Sequence, residues 1–128
     1  MDSKTIQKYA HKSVAQLKNK AKEVFHKWIR KRDDGLGCIS CGSFNEIQAG
    51  HFYSAGNYNH MRFLEDNVNS QCKKCNYFIS GNLLEYRKHL IEKIGIDRVE
   101  HLDFLSQQRG AHKDDRFALI EIIEKYKS

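Results

Sequence analysis

The 128-residue chain has no proline and no long run of apolar residues. A helix that crosses a bilayer needs about 20 consecutive apolar residues, so we expect a soluble protein without a membrane partner. The first residues, Met1-Asp2-Ser3-Lys4, lack the apolar stretch of a secretory signal. No proline-rich linker marks a domain boundary. These absences predict one modest domain with an extension, located in the cytoplasm.

Cysteine is scarce, and its four copies form two pairs with the same two-residue gap, Cys38/Cys41 and Cys72/Cys75. Four sulfurs at about 2.3 Å satisfy tetrahedral zinc. The alternatives are four unrelated thiols, disulfides, which suit secreted chains, or redox motifs, which fit a lysine-rich setting poorly. The spacing favours one structural zinc. Between the pairs lie 30 residues, 42 to 71, more than the roughly 15–20 of a simple zinc ribbon.

Positive charge is concentrated at the N-terminus. The net charge is +6, and residues 1–32 carry ten Lys and Arg against two acidic residues, so the remaining 96 residues sum to −2. Apolar residues in the same segment recur every three or four positions, which predicts an amphipathic helix. Two interpretations stay open: a solvated helix packed on the zinc module, or a helix whose lysines contact phosphates. The lysines considered for DNA are Lys12, Lys18, Lys20 and Lys27.

The rest of the chain indicates an α+β fold. Residues 47–53 predict a short strand and residues 61–64 a returning strand, joined by a polar loop at residues 54–60. Three helices are predicted after the second cysteine pair, at about residues 83–94, 96–106 and 114–126, with Gly95 between the first two. We divide the chain into a basic N-terminal helix (1–34), a zinc-bound core (35–94) and a C-terminal helical extension (95–128).

Three polar residues of the insert and its border have the offsets of a nuclease site. His51 lies on the first predicted strand, Asn67 precedes Cys72 by five residues, and Asn76 directly follows Cys75. Each has a simpler explanation: a packing histidine, a turn cap and a helix N-cap. Together with the cysteine pairs, they indicate the zinc-stabilised ββα-metal core of HNH nucleases, a treble-clef-like arrangement. In such chemistry a neutral imidazole deprotonates water while a divalent ion neutralises phosphate oxygens.

Several short motifs resemble the phage lambda NinG family, also called Rap, over roughly residues 37–100. They are Ala49-Gly50-His51, Arg62-Phe63, Glu65-Asp66-Asn67, Gln71-Cys72, Cys75-Asn76, Ser80-Gly81-Asn82 and Tyr86-Arg87. The family's proteins are recombination endonucleases that cut branched DNA such as Holliday junctions and D-loops. The order of His, Cys and Asn is also similar to that of the phage resolvase endonuclease VII, in which four cysteines bind zinc.

The resemblance implies a role for each of the three polar residues. His51 matches the general base, and Asn67 matches the Asn that orients the loop and the His. Asn76 matches a ligand of the catalytic metal, Mg²⁺ or Mn²⁺. The chain departs from many HNH enzymes at Gly50, where those enzymes have an Asp as a second metal ligand. Either Asn76 holds the ion with phosphate and waters, or one of three further residues completes the shell. Those residues are Glu65, Asp66 and Asn82.

Two functions from different classes follow. The first is a metal-dependent endonuclease selective for branched DNA, in which Arg62 and Arg87 clamp phosphate. The second is a zinc-containing DNA-binding or adaptor module without catalysis, for which Gly50 is the best argument. Resolving a junction needs two cuts, so a homodimer through the N-terminal helix is an expected arrangement. Phage recombination proteins are further candidate partners, and a phage- or prophage-encoded origin implies the cytoplasm of a bacterial host.

Overall fold

The computed structural model describes residues 1–110 and 112–128. Within them the chain divides into two compact units, Met1–Trp28 with Lys113–Ser128, and Ile29–His112. The division differs from the three sequence-based segments, since residues 1–28 and 113–128 form one unit while residues 29–34 and 95–112 belong to the other. The helices and strands are α1 (Ser3–Lys8), α2 (Val14–Arg32), β1 (Ile47–His51), β2 (Val68–Cys72), α3 (Leu83–Ile94), α4 (Ile96–Ser106) and α5 (Arg116–Tyr126).

The N-terminal segment forms two helices rather than one. Ser13 caps α2: its Oγ accepts a hydrogen bond from the Gln16 backbone N–H at 3.1 Å, and its own N–H donates to Gln16 Oε1 at 2.8 Å. This reciprocal pair is a capping box, which satisfies two backbone donors that a helix start leaves without partners. The apolar periodicity continues across the break, so periodicity alone did not reveal it.

The apolar stripe of α2 is buried inside the first unit. Leu17, Ala21 and Phe25 are fully buried. Phe25 meets Tyr126 of α5 edge-on with ring centroids 4.8 Å apart, a favoured aromatic geometry. The chain's own C-terminal helix therefore covers the stripe at Phe25.

The second unit is built on an antiparallel hairpin. β1 and β2 pair in a register that runs from Ile47 opposite Cys72 to His51 opposite Val68. The prediction of a returning strand at residues 61–64 is wrong. Two short 3₁₀ turns, Asn59–Met61 and Glu65–Asn67, occupy this part of the chain instead. All five residues of β2 are buried, so its sequence, Val-Asn-Ser-Gln-Cys, shows no alternation of polar and apolar residues.

The two helices after the hairpin confirm the sequence-based boundaries, 83–94 and 96–106. Gly95 joins them at a φ of 90°, a conformation that glycine adopts without steric cost. The core of this unit is one cluster of buried side chains from the loop, α3 and α4: Phe52, Met61, Tyr86, Leu90, Val99 and Leu102. Met61, predicted on a strand, is instead part of this core.

The four cysteines converge at one end of the hairpin. Their sulfur atoms all lie within 4.8 Å of one another, and Cys41 Sγ lies 3.6 Å from Cys72 Sγ. A zinc ion with four sulfurs at about 2.3 Å requires sulfur–sulfur distances of about 3.8 Å. In each pair the second cysteine's backbone N–H points to the first cysteine's sulfur, at 3.4 Å for Cys38 and 3.5 Å for Cys72. The donor set and its spacing fit a structural zinc.

The electrostatics of the cluster favour a cation. Burial raises the pKa of the Cys75 thiol to about 12, and the neighbouring cysteine sulfurs add to the increase. Burial also opposes ionisation of Cys38, but backbone N–H groups outweigh it and lower that pKa to about 7. Four thiolates at this separation repel one another, and a divalent cation removes that repulsion.

Removing one thiol is expected to unfold the second unit. Zinc binding contributes about 10–16 kcal/mol in zinc-finger peptides, and in such sites this binding energy is folding energy. Cys41→Ser and treatment with a chelator should therefore both expose residues 35–95 to limited proteolysis. The control Asn45→Ala alters an exposed residue near the first pair and should change nothing. Well-folded protein without zinc by elemental analysis contradicts the prediction.

Candidate functional site

His51 is positioned by a backbone carbonyl at the end of β1. Its Nε2 lies 3.0 Å from the carbonyl oxygen of Arg62. A carbonyl oxygen only accepts hydrogen bonds, so Nε2 carries the proton and donates it. In the neutral ring the lone pair is then on Nδ1.

Asn67 holds the loop that follows His51. Its side chain is fully buried. The carboxamide oxygen accepts from the Tyr53 backbone N–H at 2.8 Å, while the amide nitrogen donates to the Tyr53 and Met61 carbonyls at 3.0 and 3.1 Å. Its own carbonyl accepts from the N–H of Phe52 at 2.8 Å. Asn67 therefore fixes the chain just after His51 from inside the protein, and burial keeps it from touching a substrate.

Asn76 lies in a single π-helical turn, Lys74–Phe78, that follows β2. Its amide nitrogen donates to Gln48 Oε1 at 2.9 Å. Gln48 is on β1, three residues before His51, so this bond ties the turn to the strand that carries the histidine. The Asn76 carboxamide oxygen is the atom that this bond leaves for a hard cation, which prefers oxygen ligands.

His51 and Asn76 line one cleft of about 300 Å³. The other lining residues are Phe52, Ser54, Ala55, Ser80, Gly81 and Leu83. Two of the three polar residues singled out from the sequence thus line a common space, and the third, Asn67, hydrogen-bonds to the chain at Phe52, one of the other lining residues. An imidazole and an amide oxygen in one cleft can activate a water and hold a cation.

The described residues that line this cleft do not include the three further candidates for the catalytic metal, Glu65, Asp66 and Asn82. The amide nitrogen of Asn82 donates to Cys75 Sγ at 3.5 Å, so Asn82 belongs to the cysteine cluster. Asp66 accepts from Arg98 Nε at 3.0 Å. Glu65 lies in the same 3₁₀ turn as Asp66, and its carbonyl accepts from Arg32 at 3.0 Å.

Gly50 is glycine for a steric reason. A Cβ at this position would lie 2.0 Å from Gln71 Oε1 and 2.8 Å from Gln71 Cβ. Gln71 is itself fixed, because its amide nitrogen donates to Ser40 Oγ at 3.0 Å and to the Gly81 carbonyl at 2.5 Å. The space that a side chain at position 50 would need is therefore filled by Gln71, which sequence reasoning did not single out.

A buried polar network that the sequence did not reveal supports the strand of His51. Lys93 Nζ donates to Asp33 Oδ1 at 2.8 Å and to Asn69 Oδ1 at 2.6 Å. Asn69 donates to the Tyr86 hydroxyl at 3.2 Å, which in turn donates to the Gly50 carbonyl at 2.7 Å. The chain of contacts thus ends at the peptide that joins Gly50 to His51.

The network keeps its acid ionised although Asp33 is 2% exposed. Burial alone would raise the pKa of Asp33, but hydrogen bonds from Arg32, Lys93 and the Ser70 N–H outweigh it and hold the pKa below its ordinary value. The sequence signal at Asp33-Asp34 was interpreted only as a helix end. An Asp in a polar run has no local mark of burial.

The predicted phosphate contacts have partners within their own units. Arg87 forms a bidentate pair with Asp103, at 2.9 and 2.7 Å, and Arg62 Nε donates to Asn59 at 3.0 Å. Among the lysines, Lys18 pairs with Asp114 at 3.0 Å. Lys20 Nζ lies 3.6 Å from Glu23 Oε1. Lys27 is exposed, and Lys12 is half-buried. A phosphate at Arg87 or Lys18 would have to compete with a carboxylate.

None of the helices in the described part of the chain is long and apolar enough to cross a membrane.

Comparisons with known proteins cover both terminal segments. The family described as "Bacteriophage Lambda NinG protein" matches residues 1–128, so it includes the terminal segments that lay outside the resemblance seen at residues 37–100. "Protein ninG" of Salmonella phage P22 is 39% identical over 104 residues, which are 80% of this chain and 51% of that protein.

"Protein ninG" of Escherichia phage lambda is 38% identical over 104 residues, with the same two coverages, 80% and 51%. The corresponding protein of Escherichia phage 933W is 38% identical over 104 residues, 80% of this chain and 52% of that protein. The chain spans about half the length of these curated relatives. No solved structure matches it. The match over residues 1–128 and these identities show that the chain belongs to the NinG family of bacteriophage proteins.

Proposed function

We propose that the chain is a metal-dependent endonuclease that cuts branched DNA, such as Holliday junctions and D-loops. The observation that carries the proposal is the cleft shared by His51 and Asn76, beside a four-cysteine cluster that fits zinc. The resemblance to recombination endonucleases supplies the substrate class. It also supplies the setting, which is phage DNA in the cytoplasm of a bacterial host.

In this proposal His51 is the general base. The Arg62 carbonyl fixes the tautomer with the proton on Nε2, so Nδ1 takes a proton from water, and that water attacks the phosphorus. Asn67 acts as a positioning residue, because its three side-chain hydrogen bonds hold the chain on both sides of the loop after His51.

Asn76 would hold a Mg²⁺ or Mn²⁺ ion through its carboxamide oxygen. Such an ion would supply positive charge to the non-bridging and leaving oxygens of the scissile phosphate. Mg²⁺ usually keeps several waters and takes one or two protein ligands plus phosphate. The filled space beside Gly50 therefore supports the account in which Asn76, the substrate phosphate and waters complete the shell.

The same filled space also favours the second function, an adaptor that binds DNA without cutting it. A carboxylate or imidazole side chain at position 50, which could be a second metal ligand, would collide with Gln71. Incubation with a synthetic four-way junction and Mg²⁺ or Mn²⁺, beside a linear duplex of the same sequence, separates the two functions. Cutting of the junction supports the nuclease, and binding without cutting supports the adaptor.

The chemistry depends on two cuts per junction and therefore on two active sites. A homodimer remains part of the proposal. Its interface would lie outside the α2 stripe, because Tyr126 of α5 contacts that stripe at Phe25 and Trp28. Other phage recombination proteins remain proposed partners on the family resemblance alone.

Replacing His51 is expected to remove cleavage and keep binding. His51→Ala should slow cutting of a four-way junction by about 10²–10⁴-fold, the usual contribution of a positioned acid–base group. The control His101→Ala removes an exposed histidine of α4 and should cut at the wild-type rate. Cleavage by His51→Ala at the wild-type rate would show that another group is the base.

The role of Asn76 is tested by metal dependence. Asn76→Ala should abolish cleavage at ordinary Mg²⁺ and recover part of it at higher metal, because the lost ligand weakens metal binding. Titration of Mg²⁺ and Mn²⁺ against the cleavage rate measures this. A loss that no concentration of metal restores would mean that Asn76 only ties the turn to Gln48.

The packing of Gly50 predicts a compensating pair. Gly50→Asp should destabilise the protein, because its Cβ meets Gln71; overpacking typically costs about 1–3 kcal/mol. Gly50→Asp with Gln71→Ala should recover part of the stability and lower the metal concentration needed for half-maximal cleavage. Gln71→Ala alone is the control for lost hydrogen bonds. Thermal unfolding measures the stability of each variant. If the stability changes of the two single variants simply add in the double variant, the steric account is wrong.

The basic helix is tested by the salt dependence of binding. Lys20→Glu with Lys27→Glu should weaken linear and branched DNA alike, since phosphate contacts carry no sequence or branch information. Each lost phosphate contact reduces the slope of log K against log salt by about 0.9. Lys18 is left intact because its pair with Asp114 supports the fold. The control is Lys88→Glu on α3, and an unchanged slope in the double variant means that these lysines only face solvent.

A further inference from the structure

We propose that Tyr77 and Phe78 stack on a base left unpaired at a DNA branch and thereby select branched over linear DNA. The inference rests on the proposed function, because it places the branch beside the cleft of His51 and Asn76. The two aromatic residues directly follow Asn76 in the same turn, Lys74–Phe78.

The first argument is exposure. Tyr77 is 66% exposed and Phe78 is 77% exposed. Three further apolar residues of this segment are also exposed, namely Ile79, Leu83 and Leu84. Aromatic side chains of this kind bury 150–250 Å² when they have a partner. These five exposed apolar residues lie close together in the sequence, and exposed apolar patches are typical of binding sites.

The second argument is position. Leu83 belongs to the exposed patch and also lines the cleft that contains His51 and Asn76. Asn76 lines that cleft and precedes Tyr77 directly. The patch therefore begins at the rim of the candidate active site, where a base displaced from the cut strand would lie.

The third argument is that the segment carrying the aromatics is tied down. The Ile79 N–H donates to the Lys74 carbonyl at 3.1 Å, and the Gly81 N–H donates to the Cys75 carbonyl at 2.7 Å. The Gly81 carbonyl accepts from Gln71 at 2.5 Å. A platform fixed in this way loses little conformational freedom when it binds, which favours affinity.

The backbone at the end of this segment is strained in a way that supports a functional role. Three consecutive residues, Ser80, Gly81 and Asn82, have φ values of 48°, 90° and 45°. A left-handed conformation is unfavourable for Ser80, whereas Gly and Asn adopt it readily, and backbone strain of this kind concentrates at functional sites. The reversal ends the turn and leads directly into α3, so the residues before it project from the fold.

The fourth argument is charge, which decides between DNA and a second protein. Lys73 and Lys74 are both exposed; Lys73 directly precedes the turn that carries the aromatics, and Lys74 is its first residue. Exposed aromatics combined with basic side chains are the chemistry by which proteins bind unpaired nucleic acid. Protein–protein interfaces instead deplete lysine at their centre.

Side chains of the polar loop at residues 54–60 already have partners of their own. Tyr58 meets Tyr53 edge-on at 5.0 Å, and the Arg109 guanidinium lies 4.3 Å from the Tyr58 ring centroid. His60 Nε2 contacts the Leu105 carbonyl at 2.8 Å. The exposed aromatics of the turn after β2 are therefore the better candidates for base stacking.

The test measures binding of the zinc-loaded, full chain without Mg²⁺ or Mn²⁺, so that no cleavage occurs. Wild-type protein and the Tyr77→Ala/Phe78→Ala variant are titrated against a four-way junction and a linear duplex of the same sequence. Loss of aromatic–base stacking should weaken junction binding by about 5–150-fold per stacked base and leave duplex binding unchanged. A 2-aminopurine placed at the branch reports stacking directly by its fluorescence.

The control Phe104→Ala removes an aromatic of α4 that is 58% exposed, and it should change neither affinity nor fluorescence. Tyr77→Phe/Phe78→Tyr keeps both rings and should bind as wild type. Equal loss on both DNAs, or no loss on the junction, overturns the inference. So does concentration-dependent self-association that the double Ala variant abolishes, since the patch would then be an interface between copies. Cleavage is measured separately with Mg²⁺: if wild type cuts no junction, the proposed function fails, while the binding data still decide the role of the aromatics.

Discussion

Everything in the second unit depends on four sulfur atoms that lie within 4.8 Å of one another. They tie both ends of the 30-residue insert to one point, and the sheet between them has only two strands of five residues each. A two-stranded sheet of this length is marginal in water. The cluster also sets the start of the turn that carries Asn76, since Cys75 lies inside that turn. Fixing the sulfurs therefore fixes the distance between the strand of His51 and the turn of Asn76.

A glycine at position 50 leaves room for one buried side chain, Gln71, that connects distant parts of the second unit. Gln71 occupies the space that a side chain at Gly50 would need, and it uses that position to hold Ser40 of the first cysteine pair and Gly81 after the second. The same residue thus connects both pairs to β2. In the proposed nuclease, such a site would supply few protein oxygen ligands, and the substrate phosphate and waters would supply the others.

Much of the fold followed from the sequence because local signals agreed with the tertiary structure. Gly95 separated two helices whose boundaries the structure confirms, and the spacing of the cysteines predicted the cluster of four thiols that a structural zinc needs. The returning strand was placed too early because β2 is buried on both faces and shows no alternation. The break before α2 was missed because Ser13 and Gln16 interrupt the hydrogen bonds without interrupting the apolar periodicity.

The offsets of His51, Asn67 and Asn76 singled these residues out as a candidate site. The structure places His51 and Asn76 in one cleft. What the sequence could not reveal is the support around them. Asp33, Lys93 and Asn69 come from distant parts of the chain, and only folding brings them into contact. Non-local polar networks leave no periodic pattern, so they are found only in three dimensions.

The burial of the cysteines is uneven, and this affects how fast an ion at the cluster exchanges. Three of the sulfur-bearing residues are buried, whereas Cys41 is exposed to solvent. Affinity depends on all four sulfurs, but the rate of exchange depends on the one that a competing thiol, chelator or oxidant can reach first. The lifetime of the folded second unit in an oxidising environment is therefore governed kinetically by a single residue, even where the equilibrium strongly favours the bound ion.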